Sequence, residues 1–218
     1  MKINDIFILK YYENFLKIDE ANQILEELNT VEKIYENEYQ DITTDNLQHL
    51  NNLRVKLKSD EMISWISEET KLKFLKVDNR TIAASSDGIR FLSSNQKTKT
   101  HFDYSYKADI DLYRVLVLLV YFGNFEGGDF IIYDSDGRKI LYKQKPKHGS
   151  AILLSGQLYY PHGVEDVLTG SRITLRQGYL MSEEDMTDNE RTIFCDNGII
   201  PQVFAWRAEP YFVGESDD

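Results

Sequence analysis

Eight consecutive apolar residues, Val115-Leu116-Val117-Leu118-Leu119-Val120-Tyr121-Phe122, constrain this chain more than any other stretch. With no polar position left to face water, the run reads as a strand buried on both faces. Gly127-Gly128 breaks it, and a series of short strands follows: Asp129 to Tyr133, Arg138 to Lys143, Ser150 to Leu154 and Arg172 to Leu180. Turn residues separate them at Asp134-Ser135-Asp136-Gly137, Pro146 to Gly149, Ser155-Gly156 and Thr169-Gly170-Ser171. Upstream, Arg80 to Ala84 and Ile89 to Ser93 read as strands around the turn Ser86-Asp87-Gly88. A parallel α/β sheet would need helices between these strands, and none intervenes. The spacing predicts a double-sheet jelly roll with a pocket at its open end.

Helical periodicity is confined to the first third. Ile18, Ala21, Ile24, Leu25 and Leu28 recur at helical spacing with Asp19 as candidate N-cap. A second helix is expected from Asp45 through Leu47, Leu50, Leu53 and Leu57 toward Trp65, with His49 among its exposed positions. The fold class expected is α+β: a mainly β jelly-roll core with N-terminal supporting helices. One domain spans 1–218, with 1–80 mainly helical support, 81–182 the core and 183–218 a C-terminal extension. Apolar residues from Thr192 to Phe212 should pack that extension back on the body, leaving the last few residues disordered. A chain of 218 residues can bury such a core without staples, and its single cysteine, Cys195, excludes an internal disulfide framework.

A formal charge of -11 opposes a general nucleic-acid role, because phosphate neutralisation needs clustered Lys and Arg. Lys97, Lys99 and Lys107 are a local exception, readable as a solvated loop or as a rim that draws in anions. No signal peptide is read at Met1 to Lys10, and no apolar run approaches the roughly 20 residues that cross a bilayer. A soluble, cytoplasmic protein without membrane contact is expected.

The chemistry concentrates between His101 and Arg176. On a strand, His101 and Asp103 of His101-Phe102-Asp103 would point to one face, and His162 from another strand would complete two histidines and one carboxylate. Such a facial set leaves adjacent metal positions open and suits non-heme Fe(II). Arg172 follows ten residues after His162, and its planar fork matches a carboxylate. Alternation puts Arg172, Thr174, Arg176 and Gly178 on one strand face, with Ile173 and Leu175 on the other. The alternatives are an Arg172 on a solvent-facing edge, and a metal set using His148 in place of His162.

This ordered series, His101-x-Asp103, His162, then Arg172 with Thr174, resembles the Fe(II)/2-oxoglutarate-dependent dioxygenases, most closely their prolyl-4-hydroxylase-like branch. Tyr121 to Asp129 resembles that branch's strand and Gly-Gly turn, Gly149 to Leu154 the strand before the distal histidine, and Gly88 to Leu92 the strand leading to the metal triplet. The resemblance implies Fe(II) held by His101, Asp103 and His162, and 2-oxoglutarate as cosubstrate on Arg172 and Thr174 with Tyr121. Ascorbate is a candidate further cofactor. It implies hydroxylation of a C–H bond, of a peptidyl residue such as proline, coupled to decarboxylation of 2-oxoglutarate to succinate. A free small molecule as substrate, or a jelly roll that binds without turnover, are the alternatives. The chain departs from the family where a tyrosine commonly precedes the first histidine; Phe91 and Leu92 stand there. Arg176 lies about 13 Å along the strand from Arg172, too far to grip the same carboxylate. It is assigned to an acidic substrate group or a carboxylate near the metal, or equally to a structural ion pair. Tyr104 is a candidate substrate contact at the entrance.

Overall fold

A computed structural model describes residues 8–31, 39–40, 46–79, 88–101, 106–107, 111–134, 137–155 and 161–195, with 39–40 and 106–107 described by backbone alone. In chain order the elements are β1 (Leu9–Tyr12), α1 (Ile18–Asn29), β2 (Tyr39–Gln40), α2 (Gln48–Leu57), α3 (Asp60–Thr70), β3 (Lys76–Val77), β4 (Gly88–Ser93), β5 (Thr98–His101) and β6 (Tyr106–Lys107). There follow β7 (Leu112–Phe122), β8 (Phe125–Gly127), β9 (Phe130–Tyr133), β10 (Ile140–Gln144), β11 (Ala151–Ser155), β12 (His162–Val164), β13 (Val167–Met181) and α4 (Asp188–Phe194). Two antiparallel sheets form. The larger runs β1-β11-β7-β13-β4-β2, with β3 and β8 on β13 and β6 on β7; the smaller runs β10-β9-β12-β5. This is the expected mixed α+β jelly roll.

The apolar run explains the layering. It lies in β7, between β11 and β13, and its alternate residues enter two different cores. Leu116, Leu118, Val120 and Phe122 join the core that also holds Ala21, Ile24 and Leu28 of α1 and Leu50, Leu53 and Leu57 of α2. Val117, Leu119 and Tyr121 pack with Phe130 and Ile132 of β9 and Ile152 and Leu154 of β11. One face is thus covered by helices and the other by the second sheet. Each large side chain so buried contributes about 1.5–3 kcal/mol.

The helical layer departs from expectation at its caps. Helix α1 begins after Lys17, with no side-chain cap bond; Asp19 sits inside the first turn, where its charge opposes the positive helix end. The long second helix divides in two, because Ser59 Oγ accepts a hydrogen bond from the Met62 N–H at 3.2 Å and starts α3 anew. Asp45 lies outside the described residues. The first turn of α2 is satisfied from a distance instead: the Glu27 carboxylate accepts from the N–H groups of His49 and Leu50 at 2.8 and 2.9 Å. The N-terminal region also supplies β1, which pairs with β11 along Leu9↔Leu154 to Tyr12↔Ala151. Among the described residues no helix is long and apolar enough to cross a membrane.

In the core, the turn expected at Thr169-Gly170-Ser171 is instead part of a continuous β13. Gly170 has φ +80°, and a Cβ there would lie 2.1 Å from the Asn124 carbonyl oxygen. The glycine lets the strand pass close to the neighbouring backbone instead of reversing it. Before Gly170 the strand pairs with β8; after it, β13 runs between β7 and β4. The expected pairing on either side of Asp134 to Gly137 is present: β9 pairs with β10, and the Gly137 N–H donates to the Asp134 carbonyl at 2.9 Å, while 135–136 lie outside the described residues. The expected strand Arg80 to Ala84 lies outside the described residues. At the C-terminal side, a capping box between Thr187 and Glu190 opens α4, which buries Ile193 and Phe194 in the main core. The remainder of the expected packing, beyond 195, lies outside the described residues.

Candidate active site

The smaller sheet brings the two candidate histidines together. His162 on β12 is the cross-strand partner of His101 on β5, and their ring centroids stand 4.6 Å apart at 53°. Gly163 makes this approach possible: a Cβ there would lie 2.9 Å from the Thr98 carbonyl oxygen and 3.3 Å from the Thr100 backbone. His162 is buried, His101 exposed. His101 Nδ1 lies 2.9 Å from the Lys99 carbonyl oxygen. A carbonyl only accepts, so Nδ1 carries the proton, and Nε2 of the neutral ring keeps its lone pair. A metal-ligating histidine is ordinarily held this way, by its other nitrogen on a backbone carbonyl. Asp103 and Tyr104 lie outside the described residues.

The facing wall of the pocket is β13. Arg172 is the largest of the fully buried side chains. Three neighbours fix it: Thr174 Oγ1 accepts from Nη1 at 3.0 Å, the Tyr121 ring lies 4.8 Å beneath Cζ, and Gly128 leaves the space its stem fills. A Cβ on Gly128 would come within 2.9 Å of Arg172 Cδ. Tyr121, fully buried, is the cross-strand partner of Thr174. Arg172, Thr174 and Arg176 line the same pocket as His101 and His162, while Ile173 and Leu175 turn into the helix-covered core. The alternative of an Arg172 on a solvent-facing edge is therefore wrong.

His148 does not join this set. Its Nδ1 accepts from the Gly123 N–H at 3.1 Å and its Nε2 faces Asn22 Oδ1 at 3.1 Å, so it ties the turn before β11 to α1. Lys97 lies 3.8 Å from Asp166, both half exposed. A charged pocket residue escaped the sequence reading. Arg90 on β4 lines the pocket and donates from Nη1 to Thr98 Oγ1 at 2.8 Å. The signal was present: Ile89 and Phe91 are core residues, so the residue between them faces the other way.

These residues fit the groups the sequence implies. Two imidazoles on paired strands suit a borderline metal such as Fe(II). A buried permanent cation in the pocket wall suits a carboxylate, since burying a charge is costly unless an opposite one meets it.

The larger comparisons agree. Residues 88–179 match the family model described as the 2OG-Fe(II) oxygenase superfamily. No curated protein sequence matches the chain. Among solved structures, a viral collagen prolyl hydroxylase from Paramecium bursaria Chlorella virus-1, in complex with 2OG, aligns with TM-score 0.57 at 17% identity, covering 80% of this chain and 96% of that one. A Pseudomonas putida prolyl-4-hydroxylase aligns with TM-score 0.56 at 14% identity, covering 80% and 92%. At such identities the alignments establish the shared fold. The stretch matched by the 2OG-Fe(II) oxygenase superfamily model carries both histidines and the arginine, and the chemistry of that family uses Fe(II) and 2-oxoglutarate.

Proposed function

We propose that the protein hydroxylates a peptidyl residue, proline first, with His101, His162 and Asp103 as iron ligands and Arg172 as the anchor of 2-oxoglutarate. The observation that carries this reading is the meeting, across one pocket, of paired imidazoles on the smaller sheet and a buried arginine on the larger. Proline is favoured because the solved structures of similar fold include a viral collagen prolyl hydroxylase and a bacterial prolyl-4-hydroxylase. Asp103 enters through the His101-x-Asp103 spacing.

When bound, the iron supplies the oxygen chemistry that decarboxylates 2-oxoglutarate to succinate and carbon dioxide and puts one oxygen atom into a substrate C–H bond. The protein's own work is orientation. Lys99 holds His101 by its Nδ1–H, leaving Nε2 for the metal. Arg172 offers its fork to the distal carboxylate, with Thr174 beside it, while the Tyr121 ring supports the guanidinium from below. Val117, Leu119, Phe130 and Leu154 back the pocket with apolar surface, and exclusion of water there strengthens the ion pair.

The test is succinate formation with a proline-containing peptide, together with mass-spectrometric detection of one added oxygen. Formation should require Fe(II), and His162→Ala should abolish it. Arg172→Gln should weaken 2-oxoglutarate binding by about 2–5 kcal/mol, as for a desolvated charge pair that loses one member. Full activity in His162→Ala would refute the ligand assignment. Succinate without any oxygenated peptide would refute the substrate.

A further inference from the structure

Strand β5 carries His101 on thin support. It has four residues and lies at the end of the smaller sheet, with β12 as its strand neighbour among the described residues. Its ladder with β12 matches at His101↔His162 and Thr98↔Val164, with an irregularity between the two. A short edge strand with an interrupted ladder opens at little cost, because few contacts oppose the entropy of its release. A histidine on such a strand would have to be ordered as the metal arrives.

A side chain from the larger sheet supplies further support. Arg90 on β4 reaches the smaller sheet and donates from Nη1 to Thr98 Oγ1 at 2.8 Å. The donor is charged and the bond part-buried, which makes it stronger than an exposed neutral one. The other side of Thr98 is close to β12: a Cβ on Gly163 would come within 2.9 Å of the Thr98 carbonyl oxygen, and Gly163 directly follows His162. Thr98 is thus held between Arg90 and the strand that carries one histidine, and the other histidine stands three residues further along its own strand. Arg90 projects from a firm base. Strand β4 pairs with β13 from Ser171 to Arg176, and Ile89 and Phe91 on either side of Arg90 are sunk in the helix-covered core. The well-packed strand therefore steadies the lightly paired one.

We propose that Arg90 is a positioning residue for the metal: through Thr98 it fixes β5 against β12, so that His101 stands beside His162 before the ion binds. This rests on the reading of these histidines as iron ligands. The role is preorganisation, since an ion that meets ligands already in place loses no affinity to ordering the strand.

The test is spectrophotometric titration of the full-length protein with Co(II) alone, in variants that break the bond from either end. Thr98→Val removes the acceptor while keeping the branched shape and the Arg90 charge; Arg90→Met removes the donor and keeps an unbranched stem. Each should weaken Co(II) binding about threefold to tenfold, within the worth of one hydrogen bond from a charged donor. The double variant should bind no more weakly than Arg90→Met, because either change alone already breaks the bond. Arg90→Lys, which keeps a donor, should bind more tightly than Arg90→Met. Tyr179→Phe, which loses a hydrogen bond in the helix-covered core, should bind Co(II) as wild type does, and so separates positioning from general loss of stability. Wild-type cobalt affinity in Thr98→Val, losses that multiply in the double variant, or an equal loss in Tyr179→Phe would overturn the proposal. The same titration of His162→Ala judges the ligand reading. Unchanged binding there, or no binding by wild type, sinks that reading, whereas binding that needs His162 but is indifferent to Arg90 and Thr98 sinks the positioning role alone.

Discussion

Replacing Gly128 by alanine should damage cosubstrate binding through Arg172 on the neighbouring β13, and the adjacent Gly127 provides the control. Both glycines have left-handed backbones, φ +70° at Gly127 and +67° at Gly128, so a side chain at either costs about 1–2 kcal/mol of stability. What their Cβ atoms meet differs. At Gly127 it is backbone and an exposed leucine, Asp166 O at 2.4 Å and Leu168 Cγ at 2.8 Å. At Gly128 it is Arg172 Cδ at 2.9 Å and Val167 Cγ2 at 3.1 Å. Arg172 cannot step aside freely, because the Tyr121 ring lies 4.8 Å from Cζ and Thr174 holds Nη1 at 3.0 Å. The fork must tilt, and losing one of its two bonds to a carboxylate costs about 1.5–3 kcal/mol, roughly tenfold to a hundredfold in Kd. Thermal melts and anaerobic titration of 2-oxoglutarate into the Fe(II)-loaded protein separate the two effects. Both variants should melt lower, Gly127→Ala at least as much as Gly128→Ala, and only Gly128→Ala should bind 2-oxoglutarate weakly. Wild-type affinity in Gly128→Ala, or an equal loss in Gly127→Ala, would refute the reasoning.

Two further outcomes follow from groups away from the pocket. The Tyr179 hydroxyl donates to the Leu57 carbonyl at 2.8 Å in the buried core, and burial pushes the phenol well above its usual range; Tyr179→Phe should cost about 1–3 kcal/mol in urea unfolding by stranding that carbonyl, and an unchanged midpoint would contradict it. Burial also pushes the His148 imidazole below its ordinary value, so the unfolded chain binds the extra proton more readily and stability falls as pH drops from about 6.5. His148→Asn should flatten that part of the melting profile between pH 7 and pH 5, and an unaltered pH slope would show that His148 does not supply it.

The fold was legible where neighbouring residues along the chain decide it. Strict apolarity from Val115 to Phe122 announced a strand covered on both faces, and the two cores that receive its alternate residues are that cover. The helices were legible by period but not by their ends. The carboxylate that caps α2 is Glu27, on the preceding helix, and no local pattern reveals a partner more than twenty residues away. Ser59, by contrast, is a local signal that a long leucine repeat conceals. Gly170 misled for a related reason: glycine favours a turn from local propensity, but here it serves a close approach to Asn124 that depends on strands folded from elsewhere. The edge strand β1 was invisible because its pairing with β11 is set at long range.

At the site, alternation accounts for both what was found and what was missed. The period of two that turned Ile173 and Leu175 inward and gave Arg172, Thr174 and Arg176 to the pocket applies equally to β4, where Ile89 and Phe91 turn into the helix-covered core and Arg90 faces the pocket. Both arginines lie beyond Gly170 on β13, so the turn expected there and the continuous strand found there place them alike. Arg172 and Arg176 share one unbroken strand, paired with β4 at both positions and with β7 from Ile173 onward, so the register fixes the backbone positions from which they project. Along such a strand the two backbone positions stand about 13 Å apart, with Arg90 on the adjoining strand opposite Thr174, midway between them.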